Sequence, residues 1–90
     1  MKSYLYILKS QKNKSYYTGI TSNIDLRLKF HNTGNVKATR YKRPYKLVFK
    51  QEFDNINTAH KAELKIKSWK RRDFIEKIIK DGRFKLFMGR

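Results

Sequence analysis

Five residues carry the groups from which a proton-moving, anion-handling site can be built: Tyr6, Tyr17, Arg27, His31 and Glu63. Paired directly across a hairpin whose turn centres between Gln11 and Lys12, Tyr6 and Tyr17 project two phenols from one sheet face. Such a pair is either a packed aromatic contact or two hydroxyls held at a site. Arg27 and His31 stand one helical turn apart. On a wheel at about 100° per residue, Ile24, Leu26, Leu28 and Phe30 form one broad apolar side, with Asp25, Lys29 and Asn32 opposite. Arg27 and His31 fall inside the apolar side. Unpaired buried charge is costly, so Arg27 pairs with an internal carboxylate, snorkels to water, or serves a site. Glu63 sits at the edge of a second apolar arc, Ala59, Ala62, Ile66 and Trp69. It is either half of an ion pair with Lys67, one turn on, or a carboxylate presented to a site.

These positions need elements to hold them. Tyr4 to Leu8 is a short apolar run of strand formers, apolar on both faces, which predicts a central strand covered on both sides. The polar cluster Lys9 to Lys14 turns the chain into Ser15 to Ile20, a second strand. Gly19 there permits close backbone approach or positive φ. Ser22 with Asp25 resembles a capping box, which predicts a helix from Ile24 to Asn32 ended by Gly34. Thr33 to Pro44 is a basic loop with Lys37, Arg40, Lys42 and Arg43. Tyr45 to Phe53 alternates Leu47, Phe49 and Phe53 against Lys50 and Glu52, a third strand. Asn57 or Thr58 caps a helix running to about Trp69, after which Lys70, Arg71 and Arg72 form a basic junction. Asp73 opens a last helix with Phe74, Ile75, Ile78 and Ile79 inward and Gly82 as its stop. The expected fold is α+β in the order β-β-α-β-α-α: a small three-stranded antiparallel sheet flanked by helices. One domain spans 1–90, with its core at about 3–79 and a tail, 83–90, whose docking site the pattern leaves open.

Composition limits the partners. Lys and Arg total 23 against seven Asp and Glu, a formal +16. Such an excess repels itself in a compact state and points to a polyanion, nucleic acid before an anionic membrane. An aromatic content of 14% is too high for a disordered basic tail. The absence of cysteine removes disulfides and thiolate metal sites and fits a cytoplasmic protein. No apolar run has membrane-spanning length, and no helix reads as basic with bulky apolar residues opposite, so membrane association is not expected.

Tyr4-Leu5-Tyr6 and Tyr17-Thr18-Gly19 resemble the two short motifs that name the GIY-YIG nuclease superfamily. Arg27 and His31 on the following helix, and Glu63 on a later one, fall where that family carries its catalytic helix residues and metal-binding glutamate. Arg43 to Val48 and Lys67 to Arg71 resemble its small stand-alone branch. Departures are Tyr4 for the first motif's glycine, Thr18 within the second, and Ile20 where repair members carry lysine. No counterpart stands for the asparagine that some homing members use.

The resemblance implies a metal-dependent endonuclease hydrolysing phosphodiester bonds in DNA, in repair or recombination. Glu63 would hold one Mg²⁺ or Mn²⁺, since Mg²⁺ keeps several waters and takes phosphate oxygen for the rest. Arg27 would offer a planar fork to developing charge. Tyr6, ahead of Tyr17, would accept a proton from water, and His31 would relay a proton or orient the phenol. Gly19, Lys37, Arg40, Lys42, Arg43, Lys67, Lys70 and Arg71 would line the nucleic-acid surface, holding phosphates without reading sequence. The expected partner is DNA ahead of RNA, bound by a monomer. The competing reading is a non-catalytic basic module associated with RNA or ribosomes.

Overall fold

A computed structural model describes residues 2–69 and 71–84 of the chain. Strands β1 (Ser3–Ser10), β2 (Tyr16–Thr21) and β3 (Tyr45–Phe53) form one antiparallel sheet in the order β2-β1-β3. Helix α1 (Ile24–Asn32) follows β2, and α2 (Ile56–Trp69) and α3 (Arg72–Asp81) follow β3. A short 3₁₀ turn, Arg40–Lys42, interrupts the basic loop. The element order and the α+β class are those expected.

β1 is the central strand because its alternation carries apolar groups on both faces. Leu5 and Ile7 point into one cluster, with Phe49, Ala62, Ile66, Ile78 and Phe84. Tyr6 and Leu8 point into the other, with Tyr45, Tyr17, Ile24, Leu28 and Leu47. All four β1 side chains are at most 2% exposed. One sheet face is thus covered by α2 and α3, and the opposite face by α1. The start of the tail docks as well: Phe84 is buried in the first cluster, and the Gln51 amide brackets it, accepting from its N–H at 2.6 Å and donating to its carbonyl at 2.8 Å. The rest of the tail lies outside the described residues.

Several local expectations are corrected. The hairpin pairs Tyr6 with Gly19 and Leu8 with Tyr17, two residues from the register that placed Tyr6 opposite Tyr17. The cause is a longer turn. Ser10 Oγ accepts from the amides of Lys12 and Asn13, Lys14 takes φ 66°, and Ser10 N–H donates to the Ser15 carbonyl at 2.8 Å. A slip of two keeps every side chain on its face, so both phenols still share one.

β3 does not alternate cleanly. Ile7 pairs with Phe49 and Leu8 with Leu47, so Val48 is an extra residue in the ladder. Leu47 therefore faces α1 while Phe49 faces α2, instead of sharing a face. Asn23, not Ser22, caps α1, its Oδ1 accepting from Leu26 N–H at 3.1 Å. Asn55 caps α2 in the same way through Thr58 N–H at 2.9 Å, ahead of the expected Asn57 or Thr58. Gly34 ends α1 as expected, with φ 86° and with Asn35 N–H reaching back to the Phe30 carbonyl.

Candidate active site

The site forms where α1 crosses the Tyr6 face of the sheet. The inward stripe of α1 is Ile24, Arg27, Leu28 and His31, while Leu26 and Phe30 are exposed at 47% and 37%. The broad apolar side expected for this helix is therefore narrower, and two of its inward positions are polar. His31 is fully buried, with Tyr17 and Tyr45 rings at centroid distances of 4.9 and 6.0 Å. Asn32 fixes the end of the helix to β3, donating to the Tyr45 carbonyl and accepting from its N–H at 2.6 Å.

A chain of polar contacts runs through this interface. Arg27 Nε donates to the Tyr6 hydroxyl at 3.4 Å. The same hydroxyl lies 3.1 Å from His31 Nε2. Across the ring, His31 Nδ1 lies 2.7 Å from Thr39 Oγ1, and Thr39 donates to the Val36 carbonyl at 3.3 Å. The Val36 carbonyl only accepts, and with the threonine hydrogen directed to it the Oγ1 lone pairs are free. Oγ1 then accepts from Nδ1–H, which leaves the Nε2 lone pair facing Tyr6. The Tyr6 hydroxyl donates to that lone pair while accepting from Arg27. Among the described residues Arg27 has no carboxylate within ion-pair distance, so internal pairing does not explain its inward position.

Protonation follows from these surroundings. Burial, then the nearby Arg27 charge, depress the His31 pKa to about 4, so the imidazole is neutral near pH 7. Burial raises the Tyr6 phenol above its ordinary value; the hydrogen bond from Arg27 opposes the rise without cancelling it. The resting site holds a neutral phenol, a neutral imidazole and a guanidinium.

Tyr6 and Tyr17 share the site face, with ring centroids 6.4 Å apart. Tyr6 is buried and Tyr17 half-buried. Gly19 is explained by a close approach: a Cβ there would fall 2.6 Å from the Tyr6 hydroxyl oxygen, and its φ is not positive. Its absent side chain leaves the space that the phenol fills.

Glu63 is carried by α2, which packs along β1 and β2. Its side chain is 13% exposed, with Lys67 Nζ at 3.0 Å and His60 Nδ1 at 3.4 Å. Lys67 Nζ also lies 5.9 Å from the Tyr17 ring centroid, and Glu63 is near enough to disfavour ionisation of Tyr6. The Lys67 ion pair foreseen for this position is present. Among the described residues no cluster of three or more His, Cys, Asp or Glu could cage a metal ion. The donor set fits a hard divalent ion anchored through one carboxylate, with water and phosphate oxygens supplying its other ligands.

The basic residues divide. Lys37, Arg40, Lys42 and Arg43 are exposed on the loop after α1. Arg40 Nε donates to the Gly34 carbonyl at 3.1 Å, and Arg43 lies against Gly34, so both also sit at the negative end of the α1 dipole. Lys67 is at the site. Arg71 is tied to Asp73, with contacts of 2.8 and 3.2 Å, and stacks over Phe74. Lys70 lies outside the described residues. Residue-type reasoning missed Thr39 and Asn32; their only advance signal was that a buried histidine and an edge backbone each require a partner.

The sheet order, the paired tyrosines and the helix-borne arginine, histidine and glutamate describe one class of protein. A family model for the GIY-YIG catalytic domain matches residues 2–78, and the chain belongs to that nuclease family. Its relatives are UPF0213 proteins. The UPF0213 protein SH2523 of Staphylococcus haemolyticus is 37% identical over 78 residues, 86% of this chain and 94% of that protein. The UPF0213 protein CPE1444 of Clostridium perfringens is 42% identical over 77 residues, 84% and 82% of the two chains. The solution NMR structure of the UPF0213 protein BH0048 of Bacillus halodurans superposes with a TM-score of 0.58 at 34% identity, covering 91% of this chain and 87% of that one.

Proposed function

We propose that this protein is a metal-dependent endonuclease that hydrolyses phosphodiester bonds in DNA. The observation that carries the proposal is the Arg27–Tyr6–His31 chain: a guanidinium and an imidazole meeting on one phenol oxygen. A merely structural tyrosine needs one partner. This one has a cation on one side and a proton acceptor on the other.

In the proposed reaction a water gives a proton to the Tyr6 oxygen as Tyr6 gives its own to His31 Nε2. The water oxygen attacks phosphorus, and the bond from phosphorus to the leaving oxygen breaks, its electron pair staying on that oxygen, which takes a proton from solvent. Because the proton passes through, the phenol need not ionise beforehand, which its raised pKa disfavours. Tyr6 is favoured over Tyr17 because only its oxygen has an imidazole acceptor among the described contacts. The Arg27 guanidinium stabilises the charge that develops on the phosphoryl oxygens. Thr39 holds His31 in the accepting tautomer. Glu63 is the residue to hold Mg²⁺ or Mn²⁺; a bound divalent ion supplies Lewis-acid polarisation of the phosphate. Lys67, paired to Glu63, compensates the carboxylate when no cation is bound there.

The net charge of +16 supports a polyanionic substrate held largely through phosphates. Lys37, Arg40, Lys42 and Arg43 are its proposed contacts on the loop, and Arg71 a contact at the far end of α2. The test is a cleavage assay with Mg²⁺, Mn²⁺ or chelator over branched, nicked and single-stranded DNAs and the matching RNAs. Chelator-sensitive cuts in DNA are expected. Tight binding without cuts in any substrate would favour the binding-module reading.

A further inference from the structure

Among the described residues Tyr41 is the most exposed of the large hydrophobic side chains, at 75%. Its backbone is nonetheless held from several directions. The Tyr41 carbonyl accepts from Lys12 Nζ at 3.3 Å, the Lys42 carbonyl accepts from the Ser10 hydroxyl, and Gln11 N–H donates to the Pro44 carbonyl at 2.8 Å. Lys42 N–H closes the 3₁₀ turn onto the Thr39 carbonyl at 3.1 Å. The segment is therefore fastened to the tip of the β1–β2 hairpin while the Tyr41 ring is left bare. Among the described residues no other aromatic ring or cation covers it.

Its flanks are cationic. Arg40 and Lys42 adjoin it, Arg43 follows, and Lys12 approaches from the hairpin. A held aromatic face among backbone-contacting cations is the arrangement by which proteins seat unpaired bases: cations track phosphates while the ring stacks on a base. The turn is also joined to the candidate site. Thr39, two residues before Tyr41, meets His31 at 2.7 Å.

We propose that Tyr41 is a stacking platform for an unpaired nucleotide, which directs this protein to single-stranded segments beside its site. The proposal rests on the nucleic-acid reading above and narrows its substrate. In a duplex the faces of the bases are already stacked on their neighbours, so an intact duplex cannot use the ring.

The test is an anisotropy titration of wild type, Tyr41→Ala and Tyr41→Phe against oligothymidine, oligouridine and a blunt duplex of equal length, over a salt series. Tyr41→Ala should bind oligothymidine about tenfold more weakly, change duplex affinity less than about twofold, and keep the wild-type salt slope, because stacking releases no counterions. Tyr41→Phe should match wild type. A parallel loss on oligouridine also supports the platform, since stacking ignores the sugar. Oligothymidine binding by Tyr41→Ala equal to wild type, an equal loss on the duplex, or a flattened salt slope overturns the platform and leaves the general reading standing. A wild type that binds none of the probes overturns both.

Discussion

The hydroxyl of Tyr6 lies 3.1 Å from Nε2 of His31, inside the interface between α1 and the sheet. Because burial, and then the Arg27 charge, keep His31 neutral there, stability depends on pH. An unfolded histidine takes a proton near pH 6.5, whereas the folded one resists until about pH 4. The folded pKa is depressed, so this contribution is fully present above pH 6.5 and is lost as pH falls toward 4. The loss is of order 3 kcal/mol at most. Thermal melting of wild type should therefore fall steadily between pH 6.5 and about 4.5, and His31→Asn should be flatter over the same range. Equal slopes for both proteins would place the histidine in solvent.

Thr39 sets the direction of the His31 hydrogen bonds, so it acts on the chemistry through another residue. Thr39→Val keeps the shape and strands the buried Nδ1–H, at a cost of about 1–3 kcal/mol. Cleavage should fall more than binding, and Thr39→Ser should restore both. A valine variant with normal turnover and an unaltered pH–rate profile would make Thr39 a packing residue.

Gly19 and Tyr6 are coupled by space. A methyl at Gly19 meets the phenol oxygen at 2.6 Å and must displace either the ring or β2. Gly19→Ala should destabilise the fold by about 1–3 kcal/mol. Part of that cost should vanish in a Tyr6→Phe background, where the nearest atom is gone. Additive effects in a double-mutant cycle would show that the two residues do not press on each other.

Arg27 holds its position without a carboxylate partner among the described residues, which makes the fork itself testable. Lysine keeps the charge and loses the planar geometry. Arg27→Lys should lose about a hundredfold or more in turnover while retaining most DNA affinity and most of its melting temperature. A large drop in melting temperature with little change in turnover per folded molecule would assign Arg27 to structure.

Much of this was legible in the sequence because the signals were local. β1, apolar on both faces, could only be a central strand, and the Gly34 and Gly82 stops mark α1 and α3 through left-handed geometry that few other residues adopt. The face shared by Tyr6 and Tyr17 survived an error in register, since a slip of two residues preserves parity. What was not legible depends on tertiary partners. The extra residue Val48 is an ordinary strand former, and nothing local separates it from a neighbour in phase. Arg27 and His31 could be seen to point inward, but not that they meet on Tyr6. Thr39 looked like one more polar residue in a basic loop; only the fold brings it under His31, eight residues earlier in the chain.

One carboxylate and one tyrosine-centred relay are proposed to make this small basic domain a nuclease. Glu63→Gln tests this most directly, because glutamine preserves shape and helix propensity while removing the charge that would anchor a divalent ion. The measurement is a Mg²⁺-dependent cleavage time course of wild type and variant on a branched DNA, with a binding titration alongside. The account predicts that wild type cuts, that Glu63→Gln does not, and that the variant binds DNA at least as tightly, having lost a like charge near the phosphate. Cleavage by Glu63→Gln at the wild-type rate would contradict it and leave Glu63 as no more than the partner of Lys67 and His60.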